Sequence, residues 1–380
     1  MGMENHVKER YSEGATKVVE ALCCPVSYDA GLLKILPNEI IDRDYGCGDP
    51  SSYVKKGDTV LDLGSGGGKI CYMAAQLVGE GGRIIGVDMN DDMLALARKY
   101  QAEIAKKLGE DRVVFHKGRI QDLALSLDRV SQYLKENPVS DLKSADAFEV
   151  WMAAQRVDTP MIADESVDLV ISNCVLNLVD DAMKWHLVEE IFRVVKPGGR
   201  VAISDIVSDV LVPDELKTDP ELWSGCISGA FVESEFIEMF SSVGFTAVAF
   251  DNWDEKPWKV VDDIEFRSVT LTACKPLSSV HEEQIDQGHG VIYRGPMAVV
   301  EDELGNIFPA GVRIAVSQQV FERLGMAPFA EQFIRLAPKS PPHPTFFTAS
   351  PGTVRHPTET RGGDALLNNA GGCGPSSGCC

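Results

Sequence analysis

Three cysteines, Cys47, Cys174 and Cys226, stand where a packing cysteine is not expected. Cys47 lies between two glycines in "RDYGCGDPSSY", among charged and polar residues. Cys174 ends an apolar run in "VISNCVLNLV", and Cys226 sits in the small-residue stretch "LWSGCISGAF". Thiols in loops and at strand ends can act as metal or metalloid ligands or as redox groups, while thiols inside regular elements pack as small hydrophobes. Cys71, inside "KICYMAAQL", and Cys274, at the end of a strand, read as packing residues. No CxxC pair occurs and no histidine lies near the three thiols, which makes zinc the weakest of the ligand readings.

A second group of residues points to a cofactor. "VLDLGSGGGK" places Gly64, Gly66 and Gly68 between an apolar strand and a helix, where glycine permits a tight turn and close approach of a ligand. The dinucleotide fingerprint needs a glycine where Lys69 stands. The GxGxG spacing preceded by Asp62 instead resembles the first motif of S-adenosylmethionine methyltransferases, whose cofactor has no pyrophosphate to place at a helix N-terminus. Asp88 ends the next strand, "RIIGVD", where an acid can accept hydrogen bonds from both ribose hydroxyls. Ile120 and Gln121, in "KGRIQDL", are expected to flank an adenine. The plainer readings are an ordinary strand-to-helix turn for the glycines and a helix cap for Asp88.

These residues need a scaffold, and the hydrophobic pattern supplies one. From Asp58 to about Cys274, strand-like runs alternate with amphipathic helical stretches: "DTVLDLG", "GRIIGVD", "RVVFHKG", "SVDLVISN", "GRVAISDI", "GFTAVAFDN" and "IEFRSVTLTACK". Alternating strands and helices with near-continuous apolar strands imply a doubly wound α/β fold on a seven-stranded parallel sheet. The division expected is an N-terminal helical segment with the cysteine loop over 1–57, a cofactor-binding domain over 58–275, a small β-rich domain over 276–337 and a flexible cysteine-containing tail over 338–380. Residues 123–164 read as a helical insertion near the rim of the active site.

Composition narrows the class. The 380 residues carry a formal charge of −21, which disfavours nucleic acid as a ligand. The N-terminus has charges where a signal peptide would be apolar, and no run is long enough to span a membrane. A cytoplasmic, monomeric protein with reduced thiols is expected, so the ten cysteines do not read as a disulfide framework.

Taken together, "RDYGCGDPSSY", "VLDLGSGGGKICY", "VISNCVLNLV" and "LWSGCISGAF" resemble the arsenite S-adenosylmethionine methyltransferases, over about residues 15 to 335. The resemblance implies a Rossmann-like class I methyltransferase sheet and transfer of methyl groups from S-adenosylmethionine to trivalent arsenic, as arsenite or methylarsenite. It implies that Cys47, Cys174 and Cys226 bind the arsenic as thiolates. It also implies a cofactor set of Tyr45, Asp62, Gly64, Ser65, Gly66, Gly68, Asp88, Met89, Ile120, Gln121 and Asn173. Cys23 or Cys24 matches an additional family cysteine with a redox role, and glutathione or thioredoxin is the reductant implied. Cys47 is then expected in a mobile, lid-like loop that closes on the metalloid. Two other readings stay open. A methyltransferase of a small organic acceptor would need the glycine loop and Asp88 but not the thiols, and a non-enzymatic thiol-based metalloid binder would need only the thiols.

Overall fold

A computed structural model describes residues 3–16, 26, 28–43, 45–277, 285–326, 328–339, 345–346 and 352–362. The chain divides into two compact units, Met1–Lys275 and Pro276–Cys380.

The first unit is built on β1 (Thr59–Leu63), β2 (Arg83–Asp88), β3 (Val113–Lys117), β4 (Val167–Asn173), β5 (Val195–Ser208), β6 (Thr246–Trp253) and β7 (Ile264–Cys274). Their order is β3-β2-β1-β4-β5-β7-β6, and the short strands Phe231–Val232 and Lys259–Val261 bring the sheet to nine. The first five run parallel, each joined to the next by a long connection. β7 lies antiparallel between β5 and β6. The wholly parallel sheet read from the sequence is therefore corrected to a mixed one. Only residues 254–263 separate β6 from β7, too few for a crossover helix, so the two strands must form a hairpin.

Helices cover both faces: α1 (Met3–Thr16), α2 (Lys69–Leu77), α3 (Asp91–Leu108), α4 (Leu127–Glu136), α5 (Leu142–Asp158), α6 (Lys184–Val194), α7 (Pro220–Ser224) and α8 (Glu233–Val243). Alternate strand residues serve alternate cores, as a two-residue repeat requires. Leu61, Leu63 and Val170 join Leu187, Ile191, Phe236 and Phe240 on one side, while Val60, Leu169 and Ile171 join Ile70, Met73, Leu94 and Ala97 on the other. α3 shows why a helix starts and stops there. Asn90 accepts from the amides of Asp92 and Met93, two acids follow in the first turn, and Gly109 ends the helix in a left-handed conformation.

α4 and α5 form the expected insertion, and neither buries a single side chain. They hold each other through a stack of Tyr133 on Trp151, with ring centroids 4.3 Å apart, and of Tyr133 on Phe148. The Asp141–Ser144 capping box starts α5.

In the second unit, β8 (Gly290–Tyr293) is flanked by β11 (Arg313–Ala315) and β12 (Phe333–Pro338), with β13 (Thr360–Gly362) on the outer edge of β12 and a hairpin of β9 (Val299–Glu301) and β10 (Ile307–Pro309). Val291, Tyr293, Phe308, Ile314 and Phe333 fill its core. β13 falls within the expected tail and pairs with β12, while residues 340–344, 347–351 and 363–380 of that tail lie outside the described residues. Its sparse apolar content hid a strand whose pairing is mostly backbone. No helix among the described residues is long and apolar enough to cross a membrane.

Gly68, the cap before α2, has φ +84°, and a Cβ there would come 2.9 Å from the Phe115 ring. Gly68→Ala therefore combines left-handed strain with displacement of a core ring, and we expect urea unfolding to show a loss of about 2–4 kcal/mol.

Candidate active site

The carboxyl ends of β1, β2 and β4 open onto a cavity of about 550 Å³ at the point where strand order reverses. Tyr45, Asp62, Gly64, Ser65, Gly66, Asp88, Met89, Ile120, Gln121 and Asn173 all line it. Gly68 does not: it packs beneath the turn, against Phe115, Tyr72 and Ala97. None of residues 123–164 lines it either, so the insertion is not part of the cavity wall.

Asp88 is fixed by its neighbours. One carboxylate oxygen accepts from the Gly66 amide at 2.8 Å and the other from the Asn90 amide at 2.8 Å. Burial raises its pKa above the ordinary carboxylate value, and those backbone donors oppose the rise. Asp62 accepts from the Cys71 thiol at 3.1 Å. Burial, with Asp62 beside it, pushes the Cys71 thiol well up, which suits the packing role read for it.

α1 supplies wall residues that the sequence reading missed: Val7, Lys8 and Tyr11. It is tied to the start of α3 by Asn90, which donates to the Lys8 carbonyl at 3.0 Å, and to α7 by Arg10, which bonds Glu221 and Ser224. Tyr11 meets Tyr45 edge to face with centroids 6.1 Å apart, and the Tyr45 hydroxyl donates to the Gly14 carbonyl. Burial raises the Tyr11 phenol well above its usual value, with the charges of Cys226, Asp205 and Asp88 adding to the effect. Nothing in the amphipathic pattern of α1 marks Tyr11 as part of a site.

Beside the cavity lie the three cysteines, in one apolar cluster with Ile206, Val212, Ile227 and Phe266. All three are buried. Cys47 and Cys174 are joined by a disulfide with Cα atoms 5.8 Å apart. This corrects the expectation of reduced thiols throughout. The Cys226 thiol is in no disulfide and donates to the Cys174 carbonyl at 3.3 Å. Cys174 and Cys226 both hold left-handed backbones, φ +57° and +61°, a conformation uncommon outside glycine. Each cysteine has a near neighbour in the cavity wall: Tyr45, Val175 and Trp223. Cys23 and Cys24 lie outside the described residues.

The loop of Cys47 is tied down at several points in this structure. The Cys47 and Gly48 amides donate to Asn173 Oδ1 at 2.9 and 3.1 Å, and the Cys47 carbonyl accepts from Ser268 at 2.7 Å. A Cβ on Gly46 would stand 2.1 Å from the Asn173 amide, and one on Gly48 2.4 Å from the Ser204 hydroxyl. The glycines therefore serve close packing, where their polar setting in the sequence had suggested mobility.

Asp205 was also missed. It is buried in β5, and its oxygens accept from the amides of Leu176 and Ile206 at 2.9 and 2.8 Å. Its carboxylate and the sulfurs of Cys47 and Cys174 lie within 4.8 Å of one another. The rule that ligands gather at carboxyl ends of strands could have singled it out in "AISDI".

A family model described as a methyltransferase domain matches residues 54–244, and one for a domain of unknown function matches residues 280–365. An arsenite methyltransferase of Aquipseudomonas alcaligenes is 32% identical over 319 residues, covering 78% of this chain and 81% of that protein. The human arsenite methyltransferase is 29% identical over 314 residues, covering 80% and 73%. The chain belongs to the arsenite methyltransferase family. The crystal structure of an arsenic(III) S-adenosylmethionine methyltransferase from Chlamydomonas reinhardtii aligns with TM-score 0.57 at 27% identity, covering 85% of this chain and 100% of that one. The enzyme is thus an S-adenosylmethionine-dependent methyltransferase with a Rossmann-like sheet. The cavity's residues fit that cofactor: Ile120, Met89 and Met93 give it apolar wall, Asp88 a fixed acid, and among the described residues Lys8 and Arg43 are the only cations in its lining.

One consequence of the methyltransferase's buried acid can be measured. Burial raises the Asp205 carboxyl to about 6, against partial opposition from its backbone donors and from Lys184. A raised carboxyl binds its proton in the folded chain before the unfolded one does. Its contribution to folding therefore weakens as pH rises from about 4 to 6, by about 3 kcal/mol at most. Urea unfolding at pH 4, 5, 6 and 7 should show this extra slope in the natural chain and not in Asp205→Asn.

Proposed function

We propose that the enzyme transfers methyl groups to trivalent arsenic, as arsenite and then methylarsenite, held by the thiolates of Cys47, Cys174 and Cys226. The observation that carries the reading is the convergence of these cysteines, from three distant parts of the chain, in one buried apolar cluster beside the cofactor cavity. Arsenic(III) is a soft centre that selects thiolates over oxygen ligands. Three thiolates satisfy its trivalent pyramid and leave its lone pair free, so the attack needs no general base. The apolar walls of Ile206, Ile227 and Phe266 exclude the water that would compete for the arsenic.

When bound, S-adenosylmethionine supplies a methyl carbon attached to a positively charged sulfur. Asp88 accepts hydrogen bonds from the ribose hydroxyls, Ile120 and Gln121 flank the adenine, and Tyr45 with Tyr11 walls the methyl-donating end. Methylation takes arsenic from the trivalent to the pentavalent state. Return to the trivalent state needs two electrons, which two thiols can give in forming a disulfide. The Cys47–Cys174 bond has the composition of that product and supports such a step. A small dithiol or glutathione-type reductant must then reopen it, because neither sulfur can take up arsenic while bonded to the other.

The test uses the reduced protein with arsenite, a thiol reductant and S-adenosylmethionine, followed by separation of the arsenic species. Cys174→Ser and Cys226→Ser should each abolish methylation of arsenite. Cys47→Ser should lose arsenite but retain methylarsenite, which has one fewer exchangeable ligand. Full activity on arsenite in Cys174→Ser would remove the trithiolate reading.

Asp88→Ala should weaken S-adenosylmethionine binding by the worth of one or two charge-assisted hydrogen bonds, roughly 1.5–3 kcal/mol each. Arsenite binding should persist. Calorimetry showing an unchanged cofactor affinity would contradict the role given to Asp88.

A further inference from the structure

Cys174 is bracketed by two asparagines in "SNCVLN", and both amides turn away from a simple packing role. Asn173 reaches the loop that carries Cys47. Its oxygen takes the Cys47 and Gly48 amides, while its nitrogen donates to the Gly48 carbonyl at 2.8 Å and to the Tyr28 hydroxyl at 3.3 Å. Asn177, fully buried, reaches the other way. Its nitrogen donates to the Ile206 carbonyl at 2.6 Å and to the Cys226 carbonyl at 3.3 Å. Both partners are carbonyls, so the nitrogen must face them. Its oxygen has no hydrogen-bond partner among the described residues.

The backbone adds to this arrangement. The Cys174 amide donates to the Ser204 carbonyl at 2.8 Å, and the left-handed φ of Cys174 lets the chain turn between the two asparagines. The return of the Cys226 loop is pressed onto the same segment, where a Cβ on Gly229 would meet the Asn177 carbonyl at 2.1 Å. One stretch of five residues thus carries one thiol and grips the loops of the other two.

We infer that Asn173 and Asn177 are positioning residues that set the three sulfurs at the spacing a pyramidal arsenic centre requires, Asn173 through the Cys47 loop and Asn177 through the Cys226 turn. The inference rests on the trithiolate reading above and goes beyond it by naming what holds the ligands. Neither amide touches arsenic. Each acts through the backbone of a cysteine, so its loss should reduce the number of sulfurs that reach the metalloid while leaving the thiols themselves in the chain.

The two sites differ in the chemistry they need. Asn173 holds the Cys47 loop as an acceptor of two amides and as a donor to the Gly48 carbonyl, and an aspartate keeps the first task and loses the second. Asn177 serves Cys226 only as a donor, a task an aspartate cannot perform. Asn173→Asp should therefore keep the two amide bonds that hold the Cys47 loop, and Asn177→Asp should keep none of its bonds to the Cys226 turn, although the two substitutions are chemically identical.

The experiment titrates the reduced full-length protein and its variants with arsenite and counts arsenic–sulfur bonds by X-ray absorption at the arsenic edge. Far-ultraviolet circular dichroism and urea unfolding report on the fold. The natural chain and Asn173→Asp should show three sulfurs. Asn173→Ala, Asn177→Ala and Asn177→Asp should show two sulfurs and one oxygen, with arsenite affinity about tenfold lower. Three sulfurs and unchanged affinity in both alanine variants would overturn the inference while leaving the trithiolate reading intact. Fewer than three sulfurs in the natural chain would overturn both. Should the Asn177 variants fail to fold, the Asn173 pair decides, and equal behaviour of Asn173→Ala and Asn173→Asp overturns the assignment.

Discussion

Backbone groups that leave the end of a buried strand must find new partners, and at the end of β4 they find them in β5. Ser204 takes the amide of Cys174, and Asp205 takes that of Leu176. An unmade bond at such a place would cost about 1–3 kcal/mol for each group. This requirement, rather than any feature of the thiols, directs the chain sharply after Asn173. The turn brings Cys174 onto the floor of an apolar cluster and leaves two side-chain amides free to reach sideways.

The same place shows how stabilising and opposing effects balance. Left-handed backbone at Cys174 and Cys226 costs about 1–2 kcal/mol at each. The amide and carbonyl bonds around them contribute about 1 kcal/mol apiece, and they are numerous enough to outweigh the strain. Burial of the surrounding aliphatic residues adds to the margin. The Asp205 carboxylate sits close to two of the sulfurs, so this is also the place where charge and thiol chemistry meet most directly.

Much of this was legible in the sequence because it is written locally. A strand, a glycine turn, a helix and an acid at the next strand end occur within thirty residues or so, and Gly64, Gly66 and Asp88 accordingly fall on the cavity wall. Loop settings singled out Cys47, Cys174 and Cys226, and the structure gathers them. What was not legible depends on contacts between distant segments. Tyr11 joins the site only because α1 folds over the cavity, and Asp205 only because β5 lies beside β4. Gly46 and Gly48 look like flexible joints until Asn173 and Ser204 are seen against them. β13 was missed because its partner β12 lies more than twenty residues away and its own composition is that of a loop.

The helical pair α4–α5 enters and leaves the fold at almost one point. The Met161 amide donates to the Ala124 carbonyl and the Ile162 amide to the Leu123 carbonyl, so the chain comes back beside its own departure. Between those bonds the pair rests mainly on its own aromatic stack, with Arg156 and Asp122 as a tie at its base and Asp128 touching Lys117 of β3 and Arg98 of α3. An excursion with joined ends behaves as a cassette: it can be lengthened, shortened or exchanged while the strands on either side keep their register, since closing a loop of different length changes the chain entropy only slowly. The catalytic end of the sheet and this appendage are in that sense independent parts, free to change on separate schedules.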